Sequence, residues 1–207
     1  MHNVVVFDYD GVIVDSSELF TDFFLKGCMR IGRDDLASKE VFLSLFDGNM
    51  YETMLKKGLS KEEMLKVVFT LREGLLKHQE DLKIFSGVSD VIGLLNQAEV
   101  PLFVVTSNES AVVSKFLEKH GIVGFKDIIG SDRQPSKIKV LSKLKQQFDD
   151  ATIWYVGDTC GDVLEGRAAG VKTAVVTWGF HDEKRLMSVD PDVVVSSSKQ
   201  LQELFLN

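Results

Sequence analysis

Cysteine is scarce in this chain. Its 207 residues include two, Cys28 and Cys160, too few and too far apart for a disulfide framework. Stability must therefore come from a hydrophobic core, which a chain of this length is able to build. Cys28 reads as a buried apolar side chain on a helix and Cys160 as a bystander thiol. A reducing cytoplasm is the expected location. Positive charge is in deficit as well, with 24 Lys and Arg against 31 Asp and Glu and a formal net charge of −7. No basic run of five residues occurs, whereas a dedicated nucleic-acid binder carries a basic surplus. Long apolar runs are missing too, and none reaches the roughly 20 residues of a membrane span. The first apolar run, residues 4–7, is too short for the core of a secretory leader and leads directly into acid. The four histidines, His2, His78, His120 and His181, are scattered without the spacing of zinc ligands, so each is expected at the surface.

What is present is alternation. Residues 4–7, 102–105, 153–156, 173–177 and 193–195 are short runs rich in Val and Ile, bounded by turn residues, and read as buried strands. Ile128-Ile129 before Gly130 adds a weaker sixth. Between them lie amphipathic helical patterns at 88–97, 111–120 and 138–148. Parallel-type strands alternating with helices predict an α/β fold, a Rossmann-like parallel sheet with helices on both faces. One stretch departs from this rhythm. From residue 17 to 84 the periodicity is helical, with turns at Gly32, Gly48 and Gly58. It predicts a small inserted bundle of about four helices. The α/β core then takes residues 1–16 and 85–207, and the helical insert residues 17–84.

The chemistry is expected where strands end, because open α/β sheets bind ligands outside the carboxyl ends of their strands. The opening MHNVVVFDYDGVIVDSS runs a strand into Asp8 and Asp10, two carboxylates that repel when both are ionised. Ser107 and Asn108 follow the second strand, Lys137 stands just before a later helix, and Asp158 to Asp162 follow another strand. If these strands are parallel neighbours, all four clusters converge. Carboxylates so clustered suit a hard divalent cation such as Mg2+, which prefers oxygen ligands and commonly works with a phosphate. Lys137 and a hydroxyl supply a point charge and a neutral donor for phosphate oxygens. One carboxylate can attack phosphorus, and a second, two residues on, can protonate the leaving oxygen and then activate water.

DYDGVIVDS, the VVTSN strand end, Lys137 and VGDTCGD together resemble the four motifs of the haloacid dehalogenase superfamily. More narrowly, the chain is similar to the phosphoglycolate phosphatase and β-phosphoglucomutase branch, whose helical cap is inserted after the first strand. The resemblance spans nearly the whole chain. It implies Asp8 as nucleophile and Mg2+ ligand. It implies Asp10 as general acid/base, with its backbone carbonyl on the metal and Gly11 in support. Ser107, Asn108 and Lys137 would hold phosphate, Asp158 would bind metal, and Asp162 would support the site. Thr106 is the alternative to Ser107, and Lys139 to Lys137.

The implied activity is a Mg2+-dependent phosphatase acting on a small phosphorylated metabolite, with no nucleic-acid or membrane partner. A β-phosphoglucomutase-like phosphomutase is the alternative within the fold. A receiver-type signalling domain is the alternative outside it, disfavoured because its acceptor Asp lies on a middle strand and it has no helical insert. Asp10 argues against dehalogenases, whose halide leaves without a proton, and against phosphonatases, which commonly carry a small residue there. Asp15-Ser16 reads as a helix N-cap, Tyr9 has no chemical role, and Trp178-Gly179-Phe180 is expected as a structured loop near the crevice. The insert's loops at 46–49 and 56–58 are candidates for specificity. Neither spells a substrate, and the oligomeric state is not legible.

Overall fold

The structure, a computed structural model, describes residues 2–206. Strand β1 (His2–Phe7) is buried from Val4 onward. The chain then turns through a loop in which the Gly11 N–H donates to the Val14 carbonyl and the Val14 N–H to that of Tyr9. A two-residue strand β2 (Val14–Asp15) follows.

Ser16–Lys83 form a compact unit of their own. It holds α1 (Ser17–Arg30), α2 (Lys39–Ser44), α3 (Met50–Lys56) and α4 (Lys61–His78), with short 3-10 turns between them. The apolar periodicity seen in sequence becomes its core, with Phe24, Phe42, Leu45, Met54 and Val67 buried. The Phe24 and Phe42 rings lie 5.4 Å apart, and those of Phe42 and Phe46 lie 5.2 Å apart. Phe24, Phe42 and Phe46 are therefore packing residues. Three of the helices are stopped at their starts by side chains: Ser38 caps α2, Asn49 caps α3, and Ser60 caps α4 in a reciprocal box with Glu63. Ser16 differs. It stands at the N-cap position of α1, with φ −112 and ψ 0, but its hydroxyl takes no amide of the first turn, so the expected side-chain cap is absent.

The second compact unit comprises the chain up to Asp15 and from Ile84 onward. After β3 (Lys83–Ile84) it runs α5 (Val88–Gln97), β4 (Leu102–Val105), α6 (Ser110–Lys119), β5 (Asp127–Ile129) and α7 (Lys137–Gln147). It continues with β6 (Ala151–Gly157), α8 (Cys160–Ala169), β7 (Lys172–Val176), α9 (Glu183–Met187), β8 (Val193–Val195) and α10 (Ser198–Leu206). Six strands pair in the order β5-β4-β1-β6-β7-β8, parallel throughout. On one face Val4, Val6, Ile153 and Tyr155 pack with Val140, Leu141 and Leu144 of α7. On the other, Trp154 meets Phe205 of α10 edge-on. The expected strands and helices occur within about two residues of their predicted bounds. The short pair β2–β3 was not foreseen, since two residues carry no period.

The strand order reverses at β1, which lies between β4 and β6. That switch point is where an open parallel sheet leaves a crevice beyond its carboxyl edge.

Candidate active site

Asp8 follows β1 directly and is anchored by its own N–H, which donates to the Val156 carbonyl at 2.8 Å. Its Oδ1 accepts the Tyr9 N–H at 2.7 Å. Its Oδ2 accepts the Lys137 ammonium at 2.7 Å. Ser136 caps α7, so Lys137 is the first helical residue, and it enters the site. The same ammonium reaches the Tyr155 hydroxyl at 2.8 Å and Asp162 Oδ1 at 3.1 Å. Lys139 is exposed, and of the two rival lysines the structure brings Lys137 to Asp8.

Asp162 is the most heavily bonded carboxylate of the group. Its Oδ2 accepts the N–H groups of Asp158 and Thr159 and the Thr159 hydroxyl. Its Oδ1 accepts Tyr155 Oη–H and Lys137. Thr159 in turn accepts the Asp162 N–H, so the N-cap of α8 is Thr159, and Asp162 closes a capping box. Burial by itself would raise its carboxyl, but Lys137 and these hydrogen bonds hold it below the usual range. Asp158 is buried with one oxygen, Oδ2, accepting the Phe180 N–H at 2.7 Å.

Two glycines press on that carboxylate. Gly11 has φ +74, and a Cβ built on it would fall on Asp158 Oδ2. A Cβ on Gly179 would fall on the same oxygen. Any larger residue at either position therefore displaces Asp158. The loop at 178–180 is thus structured and part of the site, with Trp178 Nε1–H donating to the Val12 carbonyl at 3.3 Å.

Asp10 Oδ2 accepts Asn108 Nδ2–H at 2.6 Å. Asn108 therefore commits an amide hydrogen to Asp10, and its backbone N–H donates to Thr106 Oγ1 at 3.1 Å. Thr106 is buried, whereas Ser107 is exposed, with its carbonyl accepting Ser131 Oγ–H. Ser110 and Asp132 tie this loop to the one after β5 through two hydrogen bonds.

Sequence reasoning missed Tyr155 and Asp132. The one available signal for Tyr155 was a phenol within a buried strand, which needs a partner for its hydroxyl. His181, expected at the surface, is buried, and its Nδ1 accepts the Cys160 N–H at 3.1 Å. Tyr9 packs edge-on against Phe116. Both cysteines are buried and neither forms a disulfide.

Carboxylate oxygens of Asp8, Asp158 and Asp162 lie within 4.8 Å of one another. Burial above all pushes Asp8 up to about 7, against the pull of Lys137. Burial, followed by repulsion from Asp162 and Asp8, pushes Asp158 well above the ordinary carboxylate range. Protein donors leave these two acids short of compensating positive charge. An all-oxygen set of this kind fits a hard divalent cation. Asp162, with both oxygens already occupied by protein donors, fits a supporting place behind it.

A parallel α/β sheet with buried carboxylates and a lysine at its switch point defines an α/β enzyme. The chain belongs to the haloacid dehalogenase-like hydrolase family, whose model matches residues 5–176. It is 25% identical over 200 residues to a phosphoglycolate phosphatase of Synechococcus elongatus, covering 95% of this chain and 94% of that one. It is 26% identical over 211 residues to the pyrophosphatase PpaX of Halalkalibacterium halodurans, covering 98% and 96%. A haloacid dehalogenase-like family hydrolase from Streptococcus pneumoniae shares the fold with a TM-score of 0.80 at 22% identity, over 99% of this chain and 98% of that one. Among the described residues no helix is long and apolar enough to cross a membrane.

Proposed function

We propose that this protein is a Mg2+-dependent phosphatase that hydrolyses small phosphomonoesters through a phosphoryl group carried on Asp8. The observation that carries the reading is the buried Asp8–Lys137 contact of 2.7 Å, with Asp10 two residues away in a separate hydrogen-bonded setting. Two acids in unlike environments suit two roles.

Asp8, with Oδ2 steered by Lys137, attacks phosphorus, and the bond from phosphorus to the ester oxygen breaks. Asp10, aimed by Asn108, gives its proton to that departing oxygen. In the second half Asp10 takes a proton from water, whose oxygen attacks phosphorus. The bond to Asp8 breaks, and inorganic phosphate leaves. Lys137 and a hydroxyl beyond β4 hold the phosphate oxygens. The exposed Ser107 and the buried Thr106 both stand there, and Ser107→Ala and Thr106→Val separate them. Asp8, the Asp10 carbonyl and Asp158 would hold Mg2+, which supplies charge neutralisation between the acids and an incoming phosphate. The helical unit, inserted after the first strand as in the caps of this family, would in that role restrict the site to small substrates.

The relatives named phosphoglycolate phosphatase and pyrophosphatase support a phosphate-releasing reaction on a small molecule. The test is a panel of phosphorylated metabolites that includes phosphoglycolate and inorganic pyrophosphate, assayed for released phosphate with Mg2+. Rearranged sugar phosphate without release would give the mutase reading instead, and no turnover across the panel would reject both.

A further inference from the structure

Helix α4 (Lys61–His78) carries an apolar stripe on its outer side. Leu65 is 62% exposed, Phe69 57% and Leu76 49%. The buried residues of the same helix are Val67, Thr70, Leu71, Gly74 and Leu75. At about 100° per residue, Leu65, Phe69, Arg72 and Leu76 point almost diametrically away from that buried face. They are not overspill from the core. Their spacing of four, three and four residues is that of a coiled-coil seam.

The seam reads the same in both directions. Turned about a two-fold axis near Thr70-Leu71, Leu65 of one copy meets the partner's Leu76, and Phe69 meets the partner's Arg72, aliphatic on aliphatic and guanidinium on ring. The charges along one flank, Glu62, Lys66, Glu73 and Lys77, obey the same symmetry. Glu62 comes to face the partner's Lys77, and Lys66 the partner's Glu73. Within the chain Lys66 pairs with Glu62 at 2.7 Å, but both side chains are more than half exposed, so that pair is worth little and re-pairs readily. Self-complementarity of both stripe and flank is the requirement of an isologous interface.

We infer that α4 is a dimerisation surface, with a second copy of this chain docked antiparallel on it. A contact between two helices of this length buries on the order of 1,000 Å², at the low end for specific interfaces. The dimer therefore forms and dissociates with concentration, with a Kd roughly in the micromolar range. Sedimentation equilibrium of the full chain should show this exchange. Phe69→Glu, which places a charge in the seam, should weaken association by about 100-fold or more. Lys66→Glu alone should weaken it about tenfold. Lys66→Glu combined with Glu73→Lys should return it to within about threefold of the parent. Circular dichroism checks that each variant is folded. A parent that stays monomeric up to about 1 mM overturns the inference, whether or not it floats with anionic phospholipid vesicles. So does a dimer indifferent to Phe69→Glu, or a charge exchange that fails to restore what Lys66→Glu loses.

Discussion

At the scale of single residues the proposed mechanism divides the site into groups that react and groups that aim them. Asp8→Asn should abolish turnover while leaving the fold intact, since an amide is a poor nucleophile. Rapid-quench labelling of the parent should trap phosphate on Asp8, and substantial steady-state activity in the purified variant would remove the assignment. Asp10→Asn should slow alkyl phosphates more than p-nitrophenyl phosphate in single-turnover phosphorylation, because only the alkoxide needs a proton. General-acid assistance is typically worth about 10²–10⁴-fold, so the contrast is readable, and equal losses would contradict the acid role. Tyr155 aims rather than reacts: its hydroxyl accepts Lys137 and donates to Asp162. Tyr155→Phe keeps the buried ring and should lower kcat/KM about 10–100-fold. A loss in kcat with little change in melting temperature would mark positioning, and unchanged kinetics would leave the hydroxyl a packing detail.

At the scale of elements, turns and caps carry the precision. The Thr159–Asp162 box starts α8 and also holds Asp162 in place for Lys137. One local motif thus serves both helix and site. The 178–180 loop brings an N–H and a glycine against Asp158. Gly179→Ala, by moving that carboxylate, should raise the Mg2+ concentration needed for half-maximal activity about tenfold or more, read from Mg2+ titrations. In the helical unit, Ser60 and Glu63 close a reciprocal capping box. Ser60→Ala should cost about 1 kcal/mol of stability in denaturant melts and leave phosphate release per folded molecule unchanged.

At the scale of the whole molecule, a cation held by the buried acids would couple metal to stability. Bound there, Mg2+ would relieve their mutual repulsion only in the folded chain, so it should raise the melting temperature. The gain is about 2.7 kcal/mol when the free ion is 100-fold above its Kd. EDTA should reverse the rise and stop turnover together, and Asp158→Asn should lack the rise. A melting temperature indifferent to Mg2+ would argue against the ion's binding there. If the helical unit caps the site, folded phosphoproteins should be far poorer substrates than the best metabolite. Comparable rates on both would count against a cap.

The sequence by itself determined the strands, the helices and the chain order of the four clusters, because hydrophobic period and turn residues are local properties. It also raised the expectation that Asp8, Asp10 and Asp158 hold a cation, because clustered carboxylates demand compensation. Lys139 stood in the sequence as a weaker rival to Lys137, since both lie near the start of a helix. The Ser136 cap and the approach of α7 to β1 bring Lys137 to Asp8. Tyr155 was legible as a strand residue. Its role depends on the β1–β6 register that pairs it with Val6, and on the α8 N-terminus that places Asp162 beside its hydroxyl. Asp162 acquired its Lys137 and Tyr155 donors and Gly179 its carboxylate neighbour from other elements. Periodicity reports which way a side chain faces along its own helix or strand. The groups that meet it across a parallel sheet are set by crossover connections, and only the tertiary structure closes those.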